Sequence, residues 1–280
     1  MNIIKISTLF TLLYVSGAGI VQAQMERERA DVNPSVNAFW TPTLISQATT
    51  EHIPARNLNV TIMHSFGIAT RDVIRDFFGF DNVQNVRLGL DVGLTDRWSM
   101  GIGRSSQLNV VDIRTKYALM RQDKAGTKPV SISLKGDLGI ITQTNNRPLE
   151  DDLSTFGSII ISRKFNDMFS LMAAPMYAHF NRLGATGSSD LFSVGLGSSI
   201  RLSNRFTLSA EYYPVIGDRI EGTKNAFSLG LDIQTGGHVF QLFFTSTEWH
   251  LEQYVLANND NQFWAGDFRF GFNVNRIFGL

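Results

Sequence analysis

Three stretches decide the fold: Leu94-Thr95-Asp96-Arg97-Trp98-Ser99-Met100, Phe165-Asn166-Asp167-Met168-Phe169-Ser170-Leu171 and Leu202-Ser203-Asn204-Arg205-Phe206-Thr207-Leu208. Each ends an apolar strand, makes a tight polar turn of the Asx type, and restarts on an aromatic followed by a small hydroxyl residue between apolar ones. They read as hairpin tips. The aromatic falls at the same place after every turn, so Trp98, Phe169 and Phe206 stand at one height on one sheet face. In a membrane barrel such a row is an interfacial girdle.

Outward from these tips a period-two pattern runs from about Asn57 to the end of the chain. It resolves into about twelve strands, each near the roughly 9 to 11 residues that cross a bilayer when tilted. Connections alternate between short ones, such as Thr95 to Arg97 and Thr235 to Gly237, and long ones, such as Gly67 to Asn85 and Ser246 to Ala265. Arg121 to Pro129 is the exception, being long for its rim. Short turns on one rim and long loops on the other are the habit of outer-membrane barrels, with the short turns periplasmic. An even strand count then brings both termini to the periplasmic side.

Alternation alone does not say which face is outside, because a soluble barrel shows the same period with the faces exchanged. Three features choose the membrane arrangement: aromatics beside the turns, unequal loop lengths, and a polar face rich in Gly and Ser instead of the Lys, Glu and Thr that coat soluble sheets. Val86, Leu88, Leu90 and Val92 then face lipid, and Arg87, Gly89, Asp91 and Gly93 face inward. A basic residue at the lipid midplane would cost roughly 2 to 4 kcal/mol, which places the charged set in the lumen. The expected lining is Arg87, Asp91, Arg114, Lys116, Lys135, Asp137, Glu211, Asp232 and Arg269. This mixture fits a narrow polar channel, or a barrel filled by its own side chains and by the segment around Phe39 to Ile45. Structural salt bridges explain it at least as well as ion selectivity, for which a ring of one sign is the usual device.

The chain begins with Lys5, an apolar run from Ile6 to Ile20 and Val21-Gln22-Ala23. That pattern predicts a secretory signal peptide over residues 1–23. Residues 24–56 form a periplasmic or lumenal segment, and 57–280 the barrel. The 280 residues carry 25 basic and 25 acidic side chains and no cysteine. Disulfides therefore play no part in stability, and nothing in the charge points to nucleic acid.

Few residues suggest chemistry. Of the five histidines (His52, His64, His179, His238 and His250), none is paired at metal-ligand spacing, so no metal or other cofactor is expected. An outer-rim hydrolase would need a Ser/His/Asn set or an Asp/His pair, and no G-x-S-x-G elbow appears. Gly101 and Gly103, like Gly195 and Gly197, sit on the lumen face as spacing devices. The run containing Trp249, Leu251, Tyr254, Val255 and Leu256 fits a short helix or lid over the mouth, a partner-binding surface or, most simply, ordinary loop packing.

Several stretches resemble a known family: Leu58 to Gly67 with His64-Ser65-Phe66-Gly67, Asn85 to Asp91, Ser162 to Asp167, Ala210-Glu211-Tyr212-Tyr213, and above all Thr235-Gly236-Gly237-His238-Val239-Phe240-Gln241-Leu242. They are similar to an uncharacterised β-barrel family of Gram-negative outer membranes, a domain of unknown function. The likeness spans essentially the whole mature chain. Ser65 stands where a basic residue is expected after His64, and the last residue is Leu280 with Phe278 nearby instead of a terminal aromatic. The resemblance implies fold and location, with no substrate or catalytic residues attached. The expected partners are outer-membrane lipid, the barrel-assembly machinery through the final strand, and a small polar solute. Passive passage or binding of that solute is the leading functional expectation. A non-conducting docking barrel comes next, its protein partner unknown, and an outer-rim hydrolase third.

Overall fold

A computed structural model describes residues 34–71, 73–183 and 189–280, so the expected signal peptide lies outside the described residues. The strands are β1 (Asn57–Ile68), β2 (Val83–Thr95), β3 (Trp98–Ser105), β4 (Val111–Met120), β5 (Ser131–Ile140), β6 (Leu153–Lys164), β7 (Phe169–Phe180), β8 (Ser189–Arg201), β9 (Phe206–Tyr213), β10 (Val215–Ile216), β11 (Ala226–Thr235), β12 (His238–Thr245) and β13 (Arg269–Gly279); one short helix, α1, covers Glu252–Asn258. Every neighbouring pair is antiparallel, and β13 returns to β1 with Asn57 opposite Gly279. The result is a closed barrel of twelve strands plus one short extra strand. That extra strand, β10, continues β9: Val215 pairs with Ser193 in the register that sets Tyr212 opposite Leu196. Pro214 interrupts the pair because it has no N–H to give the ladder.

The three hairpin tips share one mechanism. Thr95 Oγ1 accepts the N–H groups of Arg97 and Trp98 at 3.2 and 3.0 Å. Asn166 Oδ1 accepts those of Met168 and Phe169, both at 2.8 Å. Ser203 Oγ accepts those of Arg205 and Phe206 at 3.1 and 3.2 Å. Each oxygen satisfies two turn donors locally, so the reversal takes few residues and the next aromatic lands on the outer face.

The moderate connection between β4 and β5 owes its length to a second task. Val36 N–H donates to Gln122 O at 2.8 Å, Lys124 N–H to Pro34 O at 3.3 Å, and Ser35 bridges Asp123. This turn receives the N-terminal segment where it enters the barrel. After crossing the interior the segment emerges beneath Gly93 and bends into β1 at Arg56, whose φ is +59°. The last strand runs from Arg269 to Gly279. Gly266, at φ +93°, closes a 3-10 turn over Phe263–Ala265 and delays the strand.

The interior is not uniformly polar. Phe156, Ile160, Met172, Ala174, Met176, Ala178, Phe180 and Leu191 on β6 to β8 turn inward and are buried. Phe39, Leu44 and Ala48 from the N-terminal segment pack on them with Trp249, Leu251, Tyr254, Val255 and Leu256 from the loop after β12. A membrane barrel thus encloses a small hydrophobic core along one half of its wall, each large side chain in it contributing about 1.5–3 kcal/mol.

Candidate functional site

The other half of the lumen, along β1 to β5, is charged and incompletely filled. Glycines on the inner face of β2 and β3 make room for the charges. A Cβ on Gly101 would lie 2.0 Å from Asp91 Oδ1, and one on Gly103 2.3 Å from Arg87 Nη2. Through that space runs a chain of ion pairs. Arg87 grips Asp112 with Nη2 and Nε at 2.7 and 3.2 Å, and Arg114 bonds Asp112 and Asp91, each at 2.6 Å. Bidentate pairing of this kind is what makes buried charge tolerable. Asp112 is absent from the sequence expectation, although its parity with Arg114 and Lys116 on β4 marks it as inward-facing.

Lys135 pairs with Asp137 at 2.8 Å and with Glu252 at the start of α1. Lys116 is committed to the N-terminal segment: Nζ donates to the carbonyls of Pro42, Thr49 and Glu51 at 3.2, 2.9 and 2.6 Å. Glu211 does the complementary task on the opposite wall. Its carboxylate accepts the N–H groups of Ile45, Ser46 and Gln47 at 3.2, 3.0 and 3.0 Å, cradling the tight turn Leu44–Gln47. Asn273 donates to Ile45 O at 2.8 Å, and Gln241 donates to Leu44 O and, at 3.2 Å, to Asp232. Arg269 binds Glu248 at 2.7 Å. Four of the nine expected lining residues therefore hold inserted segments: Lys116, Glu211, Lys135 and Arg269. The partners on those segments, Glu252 and Glu248, escaped the sequence reading because nothing in a loop's composition says that it folds inward.

Three cavities follow one another along this half. At the long-loop rim a vestibule of about 300 Å³ is lined by Gly67, Gln84, Asp260 and Arg269. At mid-depth a cavity of about 60 Å³ touches Met63, Arg87, Asp91, Arg114 and Glu252. At the short-turn rim a third, of about 170 Å³, is lined by Glu51, His52, Asp96 and Arg121. The register of β1 fixes their order, from Gly67 past Met63 to Pro54. A strap at Glu248–His250 separates the first two: Ser65 Oγ and Asn85 Nδ2 each donate to Glu248 O at 3.0 Å. Residues Thr49–Pro54 separate the second from the third, with His52 Nε2 2.9 Å from Ser133 Oγ.

Glu51 faces the rim cavity and is half-buried beneath the N-terminal segment. Loss of bulk water lifts its carboxyl to about 7, against the pull of N–H groups from Ala38 and Phe39 at 2.8 and 3.2 Å. The same desolvation, reinforced by Lys116 and Arg121, keeps His52 neutral.

Among the described residues no three His, Asp or Glu side chains gather as a metal site. His179 and Asp190 do meet, Nδ1 to Oδ1 at 2.8 Å, on the outer face of β7 and β8. Tyr177 OH also donates to Asp190, and the second ring nitrogen of His179 lies 3.1 Å from Asn181 Oδ1. Both ring nitrogens are thus engaged by Asp190 and Asn181 among the described residues. The outer face carries Trp98, Phe169 and Phe206 directly after the short turns.

Residues 39–278 match the family described as "Membrane bound beta barrel domain (DUF5777)". The chain belongs to this family. Its function as a family is unassigned, which agrees with the resemblance read from the sequence. None of the curated proteins matches the chain. Among solved structures it is similar to the COG4313 outer membrane channel from Pseudomonas putida F1, at 12% identity over 82% of this chain and 98% of that one, with a TM-score of 0.52. It is also similar to the KdgM porin, at 7% identity over 79% of this chain and 99% of that one, TM-score 0.50. At such identities the likeness is one of fold: the chain is a membrane β-barrel of the same architecture.

Proposed function

We propose that the protein resides in the outer membrane, with both termini periplasmic, and passes small polar solutes along the β1–β5 half of its lumen, and that the described form is its closed state. The observation carrying this reading is the series of three cavities separated by two inserted straps instead of by the wall. The inserted segments leave only a cavity of about 10 Å³ in the apolar half and larger ones in the charged half. In the middle stretch Arg87, Arg114 and Lys135 pair with the carboxylates of Asp91, Asp112, Asp137 and Glu252, four acids that equal in number these three cations and Lys116, which is held by backbone carbonyls. A balanced lining favours net-neutral or zwitterionic solutes over ions of one sign.

Swelling of proteoliposomes in solutes of graded size tests it. The full chain should admit small neutral polyols and amino acids slowly. Glu211→Gln, which loosens the cradle of the N-terminal turn, should admit them several times faster. Equal impermeability of both proteins would rule passage out. The filled apolar half favours the second reading, a non-conducting barrel that docks a partner. Impermeable liposomes together with a stoichiometric partner retained after detergent extraction would establish it.

A further inference from the structure

The loop from Ala69 to Asn82, between β1 and β2, carries Ile74, the most exposed large apolar side chain among the described residues, and the largest cluster of such side chains on the long-loop rim. Ile74 is 95% exposed and Phe77 61%, with Val73, Phe78 and Phe80 also open. The backbone holds them there. Phe77, Phe78 and Gly79 take consecutive positive φ values of 43°, 59° and 84°. Phenylalanine is uncommon in that region, so the turn is kept by its surroundings. Gly67 supplies them: its N–H donates to Gly79 O at 3.0 Å, and a Cβ on Gly79 would lie 2.4 Å from Gly67 O. Two glycines in contact lock the loop onto the end of β1, and the locked turn directs its aromatic rings away from the barrel axis.

The patch is continuous with the lipid-facing wall. Phe77 lies 5.9 Å from Phe80, and Phe80 lies 5.0 Å from Phe66 on β1 and 5.2 Å from Phe270 on β13. Phe66 and Phe270 belong to the outward-facing set of their strands. Arg71, tied to Asp267 at 3.3 Å, and exposed Arg75, with Asp72, Asp76 and Asp81, punctuate the apolar residues, a mix of charge and large apolar side chains that suits a polar–apolar boundary.

We propose that the β1–β2 loop is a membrane-seated finger whose Ile74, Phe77 and Phe78 enter the acyl region of the leaflet adjoining the long-loop rim. The apolar belt is then taller on the β1–β13 side than elsewhere, and the barrel is anchored asymmetrically in its bilayer. This inference is independent of whether the lumen conducts.

The chain has no cysteine, so single nitroxide labels are clean. Ile74→Cys and Phe77→Cys, labelled singly in phosphatidylcholine vesicles, should relax several-fold more with oxygen, which concentrates in the acyl region, than with a water-soluble nickel chelate. Asp218→Cys, in the exposed loop between β10 and β11, should show the reverse. Nickel-dominated relaxation at both 74 and 77 would overturn the proposal by placing the loop in water. Spin–spin broadening at these sites would overturn it in favour of a second copy. Because both positions are exposed loop sites, neither substitution removes a buried side chain from the barrel.

Discussion

Glu211 shows how one charge can govern a large object. It sits mid-strand on β9, and without the N-terminal segment it would be a carboxylate facing an empty lumen. Three backbone N–H groups of the turn at Ile45–Gln47 satisfy it, and charge-assisted bonds to backbone donors are roughly twice as strong as neutral ones. Glu211→Gln keeps the volume but removes the charge, and should weaken seating of residues 38–55 by about 2 kcal/mol. The readout is faster protease cleavage within that segment, with the barrel still resisting denaturation by detergent. Glu51 gives the seating a pH dependence. Its carboxyl titrates near 7 when seated, against 4.5 ordinarily. Between those values the seated segment holds a proton that the released segment has lost. Seating is therefore firmest below pH 4.5 and loosens as pH rises to 7, by roughly 3 kcal/mol at full effect. Cleavage should accelerate from pH 5 to 8 in the wild type, and Glu51→Gln should remove that dependence. That Lys116 and Glu211 face inward was legible from strand parity. That they hold a segment of their own chain was not, because parity gives direction and says nothing of what stands opposite.

Among the elements, the short turns were the most legible. A Thr, Asn or Ser followed three residues later by an aromatic is a local device, and the bonds from Thr95, Asn166 and Ser203 depend on no distant partner. Asn166→Ala should cost about 1 kcal/mol of barrel stability, measured by reversible unfolding in lipid with denaturant, because two turn donors lose their acceptor. The strand pattern was equally plain wherever one face is apolar and the other polar, as in β2, β5, β11 and β13. It fades in β6 and β7, where Ile159, Ile160 and Ile161 are apolar on both faces because the inner set meets an internal core. The helix α1 was the least legible element. Seven residues cannot sustain a helix in water. Its stability comes from burial against β6, β7 and β8 and from Tyr254, stacked on Trp249 at 5.3 Å and edge-on to Phe180 at 5.4 Å. A run that looked like ordinary loop packing is helical because of where it is packed.

At the scale of the whole molecule, the closed twelve-stranded wall follows from alternation, strand number and turn placement, all present in the sequence. The division of the lumen into a packed apolar half and a cavity-bearing charged half does not. It arises from contacts between strands and segments far away in the chain, as in the bond from Ile45 to Glu211, 166 residues apart. The account stands on the inserted N-terminal segment being a closure over an existing path. Single-channel recording in planar bilayers tests this most directly, comparing the full chain with a form lacking residues 24–56. The account predicts rare, brief openings for the full chain and persistent conductance with weak ion selectivity for the shortened one, provided that its barrel resists detergent like the parent. A shortened protein that folds by that criterion and never conducts would contradict it.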